Sequence, residues 1–239
     1  DRVVAQADGA PIWVPLSAGL DSRLILCKLV ERGCDNLFAF SYGPAGNDEA
    51  KAARTIAERL GVPWRFWPNR NGDMRRLYAS ADRDNYWAFG DGLCAVPNFQ
   101  DFPTLHELCG RGEVPEDVIV VNGQTGDFIS GGHIPKSFQK NQAPTLDDLF
   151  DAIVAKHYSL WASLKTPGNL APLRARMLET LGLNGDEQPG RDGVIALYER
   201  WEYQERQAKY IINGQRNYDF LGLGWALPLW DRRLVDFGC

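Results

Sequence analysis

Short apolar runs alternate along the first 70 residues with stretches whose apolar positions recur every three or four residues. Residues 11–16 are short and apolar enough for a buried strand, and Leu20, Leu24, Cys27 with Leu26 and Val30 follow at helical spacing. Gly33 is a plausible stop for that helix, and residues 37–41 form a second apolar strand ending at Tyr42-Gly43-Pro44. Asn47 can cap the next helix, whose buried stripe is Ala50, Ala53, Ile56, Ala57 and Leu60. Asp48 and Glu49 sit in its first turn and Gly61 ends it. Residues 62–67 supply a third strand. This alternation predicts an α/β fold with a parallel sheet and right-handed crossovers. Such sheets bind ligands at the carboxyl ends of their strands, where residues 17–22, 41–46 and 67–71 gather.

Residues 72–110 read as helices and loops rich in aromatics, among them Tyr78, Tyr86, Trp87, Phe89, Phe99 and Phe102. Most belong to a core, and a minority line an acceptor pocket around 91–100, where Gly and Pro break the periodicity. Residues 117–121 form a fourth buried strand that runs into Asn122-Gly123-Gln124-Thr125-Gly126-Asp127. Beyond Pro135 the strand pattern disappears and helices are expected at 146–164, 170–181 and about 191–213. The last carries Val194, Leu197, Trp201, Ala208, Ile211 and Ile212 at helical spacing. The polar stretches 137–144 and 182–190 between them are expected to be mobile loops. The division is thus an α/β part over 1–135 and a helical part over 136–239 that closes over the site. The sequence starts at Asp1 and stops at Cys239 after an apolar, helix-like segment, so a fragment of a longer protein is expected.

A length of 239 residues allows a sizeable core, and 44% hydrophobic with 24% charged residues is ordinary for a globular protein. A net charge of −5 argues against a nucleic-acid partner held by a broad basic surface and turns attention to small-molecule chemistry. No apolar run approaches membrane-spanning length, and no signal peptide is visible. Cys27, Cys34, Cys94, Cys109 and Cys239 are odd in number and lack Cys-x-x-Cys spacing, which fits a reducing cytoplasm better than a disulfide framework or a zinc site. His106, His133 and His157 are too scattered to suggest a metal cluster and read as surface or packing residues.

The turn after the first strand reads Leu16-Ser17-Ala18-Gly19-Leu20-Asp21-Ser22. Its small side chains allow backbone N–H groups at a helix start to face an anion, with phosphate the natural occupant. Asp21 in the first helical turn suits the positive end of the helix dipole and can hold a divalent ion beside that phosphate. A tight connection without a ligand is the competing reading. The turn resembles the pyrophosphate loop of the ATP pyrophosphatases (PP-loop), Ser-Gly-Gly-x-Asp-Ser, with Ala18 in place of a glycine. With Leu16 before it and Arg23-Leu24-Ile25 after it, it is similar to the synthetase domain of asparagine synthetase and its relatives. Ala18 keeps the N–H but tolerates positive φ poorly, so either its φ is ordinary or the loop is altered.

The segment 122–133 resembles the Ser-Gly-Glu-Gly-Ser-Asp-Glu-x-x-Gly-Gly motif of the same family, matching at Gly123, Asp127, Gly131 and Gly132. It departs at Gln124, Gly126 and Phe128. The region 210–237 resembles the family again, with Pro228-Leu229-Trp230-Asp231 where a Pro-Phe-Leu-Asp segment precedes a helix; Asp231 reads locally as an N-cap.

The resemblance implies an adenine nucleotide alpha-hydrolase-like layer with a helical subregion. It also implies an ATP site at Leu16, Ser17, Ala18, Gly19, Asp21, Ser22, Phe40, Ser41, Asn122 and Gly123, and Mg²⁺ held by Asp21 and Asp127. Strand packing is the alternative role for Phe40 and Ser41. Gln124 stands where the family places a glutamate base; an amide has no basic oxygen at neutral pH, so it either contacts substrate or merely satisfies the turn.

The implied activity is ATP-dependent adenylation of a small-molecule carboxylate with release of pyrophosphate, then amide formation with ammonia or an amine, as in an AMP-forming amidotransferase. Ammonia would come from a glutaminase domain or subunit, no part of which lies in these residues. Intramolecular amide formation, as in β-lactam synthetases, and a catalytically degenerate ATP-binding module are the alternatives. The lysine that the resembled enzymes aim at pyrophosphate has no counterpart before Cys239, so these 239 residues alone are expected to bind nucleotide and turn over slowly or not at all.

Overall fold

A computed structural model describes residues 1–141 and 143–238. Cys239, counted among the cysteines above, lies outside the described residues, as does Gln142 of the 137–144 stretch. Cys27, Cys34, Cys94 and Cys109 are free thiols. Residues divide into one unit of 1–130 with 209–238 and another beginning at Gly131 and running to Ala208.

The first unit opens with α1 (Arg2–Ala7) and continues through β1 (Ile12–Pro15), α2 (Leu20–Glu31), β2 (Leu37–Gly43), α3 (Asp48–Leu60) and β3 (Trp64–Pro68). Helices α4 (Asn71–Tyr78), α5 (Ala81–Gly90) and α6 (Phe102–Gly110) lead to β4 (Ile119–Val121) and the short α7 (Gly126–Ile129). The five strands, with β5 (Gly224–Ala226), form one sheet of order β3-β2-β1-β4-β5, parallel at every pairing. The alternating-strand expectation is met by an all-parallel α/β sheet of the PP-loop type.

Side-chain alternation explains why the sheet is covered on both faces. Ile12, Val14, Leu37, Ala39, Ile119 and Val121 pack with Ile25, Leu26 and Leu29 of α2 and Ala53 and Ala57 of α3. Their neighbours Trp13, Phe40 and Val120 face the other way, against Leu105 and Leu108 of α6 and Tyr218. Asn47 caps α3 by accepting from the Ala50 N–H at 2.8 Å, and Gly61 ends it in the left-handed conformation at φ 68°.

The second unit contains α8 (Lys136–Lys140), α9 (Leu146–His157), α10 (Pro167–Leu181) and α11 (Gly190–Trp201). Its core gathers Phe138, Leu149, Phe150, Ile153, Met177, Val194, Tyr198 and Trp201. A capping box at Thr145 and Asp148 starts α9.

Four expectations are corrected. The helix expected at 146–164 stops at His157, and only a 3₁₀ turn, Ala162–Leu164, follows. The stretch 137–144 holds most of α8, anchored by the buried Phe138, instead of being wholly loop. The 191–213 helix changes to a π-helix over Glu202–Ile212. Helices alone were expected from 136 to 239; instead β5 joins the sheet beside β4, and 209–238, with α12 (Arg216–Phe220) and α13 (Arg232–Gly238), belong to the first unit. With three residues, β5 is too short to show a period-2 pattern. Asp231 precedes α13 and accepts from the Arg233 N–H at 3.0 Å, as an N-cap does. Among the described residues no helix is long and apolar enough to cross a membrane.

Candidate nucleotide site at the β1 and β4 strand ends

The chain lays down β1, β2 and β3 in one direction and then returns to the far side of β1 for β4. Loops at such a reversal splay apart and leave a crevice at the carboxyl ends of the two strands. The two glycine-bearing segments singled out from the sequence are the loops that leave β1 and β4.

They meet at very short range. A Cβ built on Gly126 would lie 2.3 Å from Asp21 Cγ and 2.4 Å from its Oδ1, and one on Gly123 would lie 2.6 Å from the Ser22 backbone N. A Cβ at Gly123 would press on the backbone of the first turn of α2 and one at Gly126 would displace the Asp21 carboxylate, so the two glycines are what allow the second loop to close on the start of α2 as it does. Asp127, exposed, follows Gly126 directly. Burial raises the Asp21 carboxyl above its ordinary pKa, and the nearby Asp127 charge raises it further. Two carboxylates that repel each other at a phosphate-sized crevice suit Mg²⁺, which takes one or two carboxylates and completes its shell with phosphate oxygens and water. Among the described residues there is no cluster of three or more His, Cys, Asp or Glu side chains that would form an all-protein cage.

The first loop is braced from within. Ser17 N–H donates to Ser22 Oγ at 3.2 Å, Gly19 N–H to Ser17 Oγ at 3.1 Å, and Arg23 Nη2 to the Ala18 carbonyl at 2.8 Å. Ala18 is absent from the residues with positive φ, so its backbone is ordinary and the alanine is tolerated without strain. The expectation that successive loop N–H groups face an anion is corrected in part, because the Ser17 and Gly19 amides turn to hydroxyls. What is left is the start of α2. Its N-cap, Gly19, offers no side-chain hydrogen bond, which leaves the first-turn amides of a 12-residue helix for an anion.

Two adjoining cavities open here and share Pro15, Ser17 and Tyr42. One, of about 290 Å³, is bounded by Ser17, Gly19, Asp21, Asn122, Gln124 and Tyr218. The other, of about 480 Å³, is bounded by Leu16, Phe40, Ser41, Asn69, Phe99 and Gln100. All of the residues named from the resemblance as ATP contacts border one cavity or the other, apart from Ala18. Ser41 is committed to structure as well, since its hydroxyl donates to the Leu16 carbonyl at 2.6 Å and accepts from Trp64 Nε1 at 3.0 Å. The Phe40 ring is fully buried beside Trp13, Tyr42 and Trp67, so its side chain packs the sheet. Phe99 and Gln100 come from the 91–100 stretch expected to line an acceptor pocket.

Behind the smaller cavity lies a polar network. Gln124 N–H donates to Asn122 Oδ1 at 3.1 Å, and Asn122 Nδ2 donates to Gln215 Oε1 at 2.8 Å and to Tyr218 OH at 3.2 Å. Gln215 Nε2 donates to Gln124 Oε1 at 2.6 Å and to the Ile211 carbonyl at 2.9 Å. Tyr218 OH donates to Asp101, which also accepts from Asn217 Nδ2 at 2.7 Å. Burial holds the Asp101 carboxyl above its ordinary pKa despite the hydrogen bonds from Tyr218 and Asn217. Thr125, at φ 80°, is a non-glycine residue in left-handed backbone inside this loop, and its buried hydroxyl has no hydrogen-bond partner among the described residues. Asp101, Gln215 and Tyr218 were not anticipated; the density of amides in Asn213–Asn217 is a local signal for Gln215, and none is visible for Asp101 or Tyr218.

His133 and His157 are not the scattered packing residues expected. In the second unit both converge with Lys156 on the buried Glu202, with His133 Nδ1 and Lys156 Nζ each 2.9 Å from Oε2. Burial alone would raise the Glu202 pKa, but hydrogen bonds from the two histidines and Lys156 hold it well below the usual carboxylate range.

No curated protein sequence matches this chain. Residues 3–239 match the family described as asparagine synthase, and with nearly the whole sequence covered the chain belongs to that family of ATP-using, amide-forming ligases.

Proposed function

We propose that this protein adenylates a small-molecule carboxylate with ATP and Mg²⁺, releases pyrophosphate and passes the acyl group to ammonia or an amine. The observation that carries the proposal is the contact of Asp21 with the second loop, where Gly126 meets its carboxylate and Asp127 follows, beside the uncapped start of α2. Adenine is assigned to the larger cavity, against the backbone of β2 near Phe40 and Ser41, and the phosphates to the smaller one.

In this reading the substrate carboxylate oxygen attacks the α-phosphorus and the bond to the β-phosphate oxygen breaks. The amides of the first turn of α2 receive charge on the departing pyrophosphate. Asp21 and Asp127 would hold Mg²⁺, which when bound supplies charge neutralisation between phosphate groups. Gln124 orients and does not act as a base. That last point disfavours an ordinary aspartate-to-asparagine enzyme and leaves room for an unusual amine, including one within the same substrate. A cytoplasmic setting and an ammonia source outside these residues complete the proposal.

The test is isotopic exchange of pyrophosphate into ATP by the full-length protein with a panel of carboxylates. Exchange that depends on one class of carboxylate supports adenylation. ATP binding with no exchange across the panel would favour the degenerate nucleotide-binding module. Incubation with aspartate and an ammonia source is expected to give little asparagine, and rapid asparagine formation would overturn the reading of Gln124.

A further inference from the structure

Amide side chains can usually be turned over without changing their shape, so which end is a donor must be settled by their partners. Here the partners settle it. The backbone N–H of Gln124 can only donate, so the end of Asn122 facing it at 3.1 Å is the oxygen. Asn122 therefore turns its NH₂ to Gln215, whose facing atom at 2.8 Å must be oxygen. The other end of Gln215 is then NH₂, which agrees with its 2.9 Å contact to the Ile211 carbonyl, a group that can only accept. That NH₂ also donates to Gln124 at 2.6 Å, so the Gln124 atom it meets is Oε1. A backbone donor at one end and a backbone acceptor at the other thus fix the polarity of three successive amides. Gln215 is almost fully buried, at 1% exposure, and Asn122 is buried beside it, so water does not compete for the bond between these two amides.

The consequence falls on the last atom. Gln124 has its oxygen turned inward to Gln215, and among the described residues no protein group accepts from its Nε2. Gln124 borders the cavity that also holds Asp21, Ser17 and Gly19. Resting on the nucleotide reading above, we infer that Gln124 presents two N–H donors to an anionic oxygen at the reacting centre, either on the α-phosphoryl group or on the acceptor carboxyl group beside it. The position where the family places a proton acceptor is here an oxyanion donor, and Asn122 and Gln215 are positioning residues that hold it so. Its role is to stabilise charge that gathers on oxygen as the acyl-adenylate forms and breaks down. No proton is transferred to it.

The experiment compares wild type, Gln124→Glu, Gln124→Leu and Gln215→Leu in the full-length protein, with circular dichroism and thermal melting as controls for folding. AMP and adenosine are titrated calorimetrically to probe the phosphoryl source, and KM for carboxylate in pyrophosphate exchange probes the other. A donor lost from a charged acceptor weakens binding roughly tenfold or more. Gln124→Leu is therefore expected to lower AMP affinity, or raise KM for carboxylate, by roughly tenfold while adenosine affinity stays unchanged. Gln124→Glu should cost more, since it sets a negative charge against the anion, and Gln215→Leu should cost less, since it only frees Gln124 to turn. Loss confined to AMP identifies the phosphoryl oxygen, and loss confined to carboxylate KM identifies the acceptor. If folded Gln124→Glu matched wild type in both measurements, or bound AMP more tightly, the donor assignment would be overturned. Failure of adenosine and ATP to bind at all would instead remove the nucleotide reading beneath it.

Discussion

Two glycines at the loop contact make a paired prediction, because a methyl group added to each meets a different kind of obstacle. Neither Gly123 nor Gly126 has positive φ, so alanine is acceptable to the backbone and only the contact matters. At Gly126 the new Cβ would overlap the Asp21 carboxylate at 2.3–2.6 Å, and that carboxylate can swing aside on its own χ angles. At Gly123 it would overlap Ser22 N at 2.6 Å and the Asp21 carbonyl carbon at 2.8 Å, which are the backbone of the first turn of α2. Overpacking against fixed atoms costs about 1–3 kcal/mol, and at this chain length each kcal/mol lowers Tm by about 2–4 °C. Gly123→Ala should thus lose roughly 2–12 °C in a thermal melt followed by circular dichroism. Gly126→Ala should lose less, yet bind Mg²⁺-ATP at least roughly tenfold more weakly in calorimetry, because it displaces a proposed metal ligand. The reasoning fails if Gly123→Ala melts with wild type, or if Gly126→Ala binds Mg²⁺-ATP as wild type does.

Two further predictions concern buried carboxylates. Glu202 has its pKa lowered in the fold, so it contributes stability above the ordinary glutamate value of about 4.3 and loses it as pH falls below that value. Glu202→Gln should cost about 3 kcal/mol at pH 7, the lower end for a broken buried pair because Lys156 is 31% exposed, and its loss of Tm on going to pH 3 should be smaller than that of wild type. Equal acid sensitivity in the two proteins would count against the cluster. Asp101 has its pKa raised, so it binds a proton more readily when folded and stability falls as pH rises from about 3.9 towards the folded value. Tyr218→Phe removes a donor to that carboxylate and should cost about 1–3 kcal/mol, more on the high-pH side of the Asp101 titration, where the carboxylate is charged, than on its low-pH side; a loss independent of pH would show that Asp101 is not what the hydroxyl stabilises.

Much of the sheet was legible because β1, β2 and β3 alternate with helices that have their own caps and apolar stripes, as Asn47 and Gly61 show for α3. The nearness of Asp21 and Asp127 was legible too, since each lies in a small-residue turn directly after an apolar strand. What local pattern could not supply is contact between distant segments. Gln215 and Tyr218 reach Gln124, Asn122 and Asp101 only because β5 brings the C-terminal stretch back beside β4, and three residues carry no periodicity to announce that return. The Glu202 cluster was hidden for the same reason, as its partners His133 and Lys156 lie 69 and 46 positions away in the chain. Breaks of helix geometry were equally invisible: apolar residues continue at helical spacing through 202–212, while the hydrogen bonds widen to a π pattern.

Calorimetric titration of ATP with and without Mg²⁺ into the full-length protein, Asp21→Asn and Asp127→Asn tests most directly whether the β1 and β4 loops form one Mg²⁺-nucleotide site. Wild type should bind ATP far more tightly with Mg²⁺ than without it, and each variant should lose that difference while keeping its fold, because Asp21 is only half-buried and Asp127 is exposed. Undiminished Mg²⁺-dependent ATP binding by either folded variant would contradict the shared site.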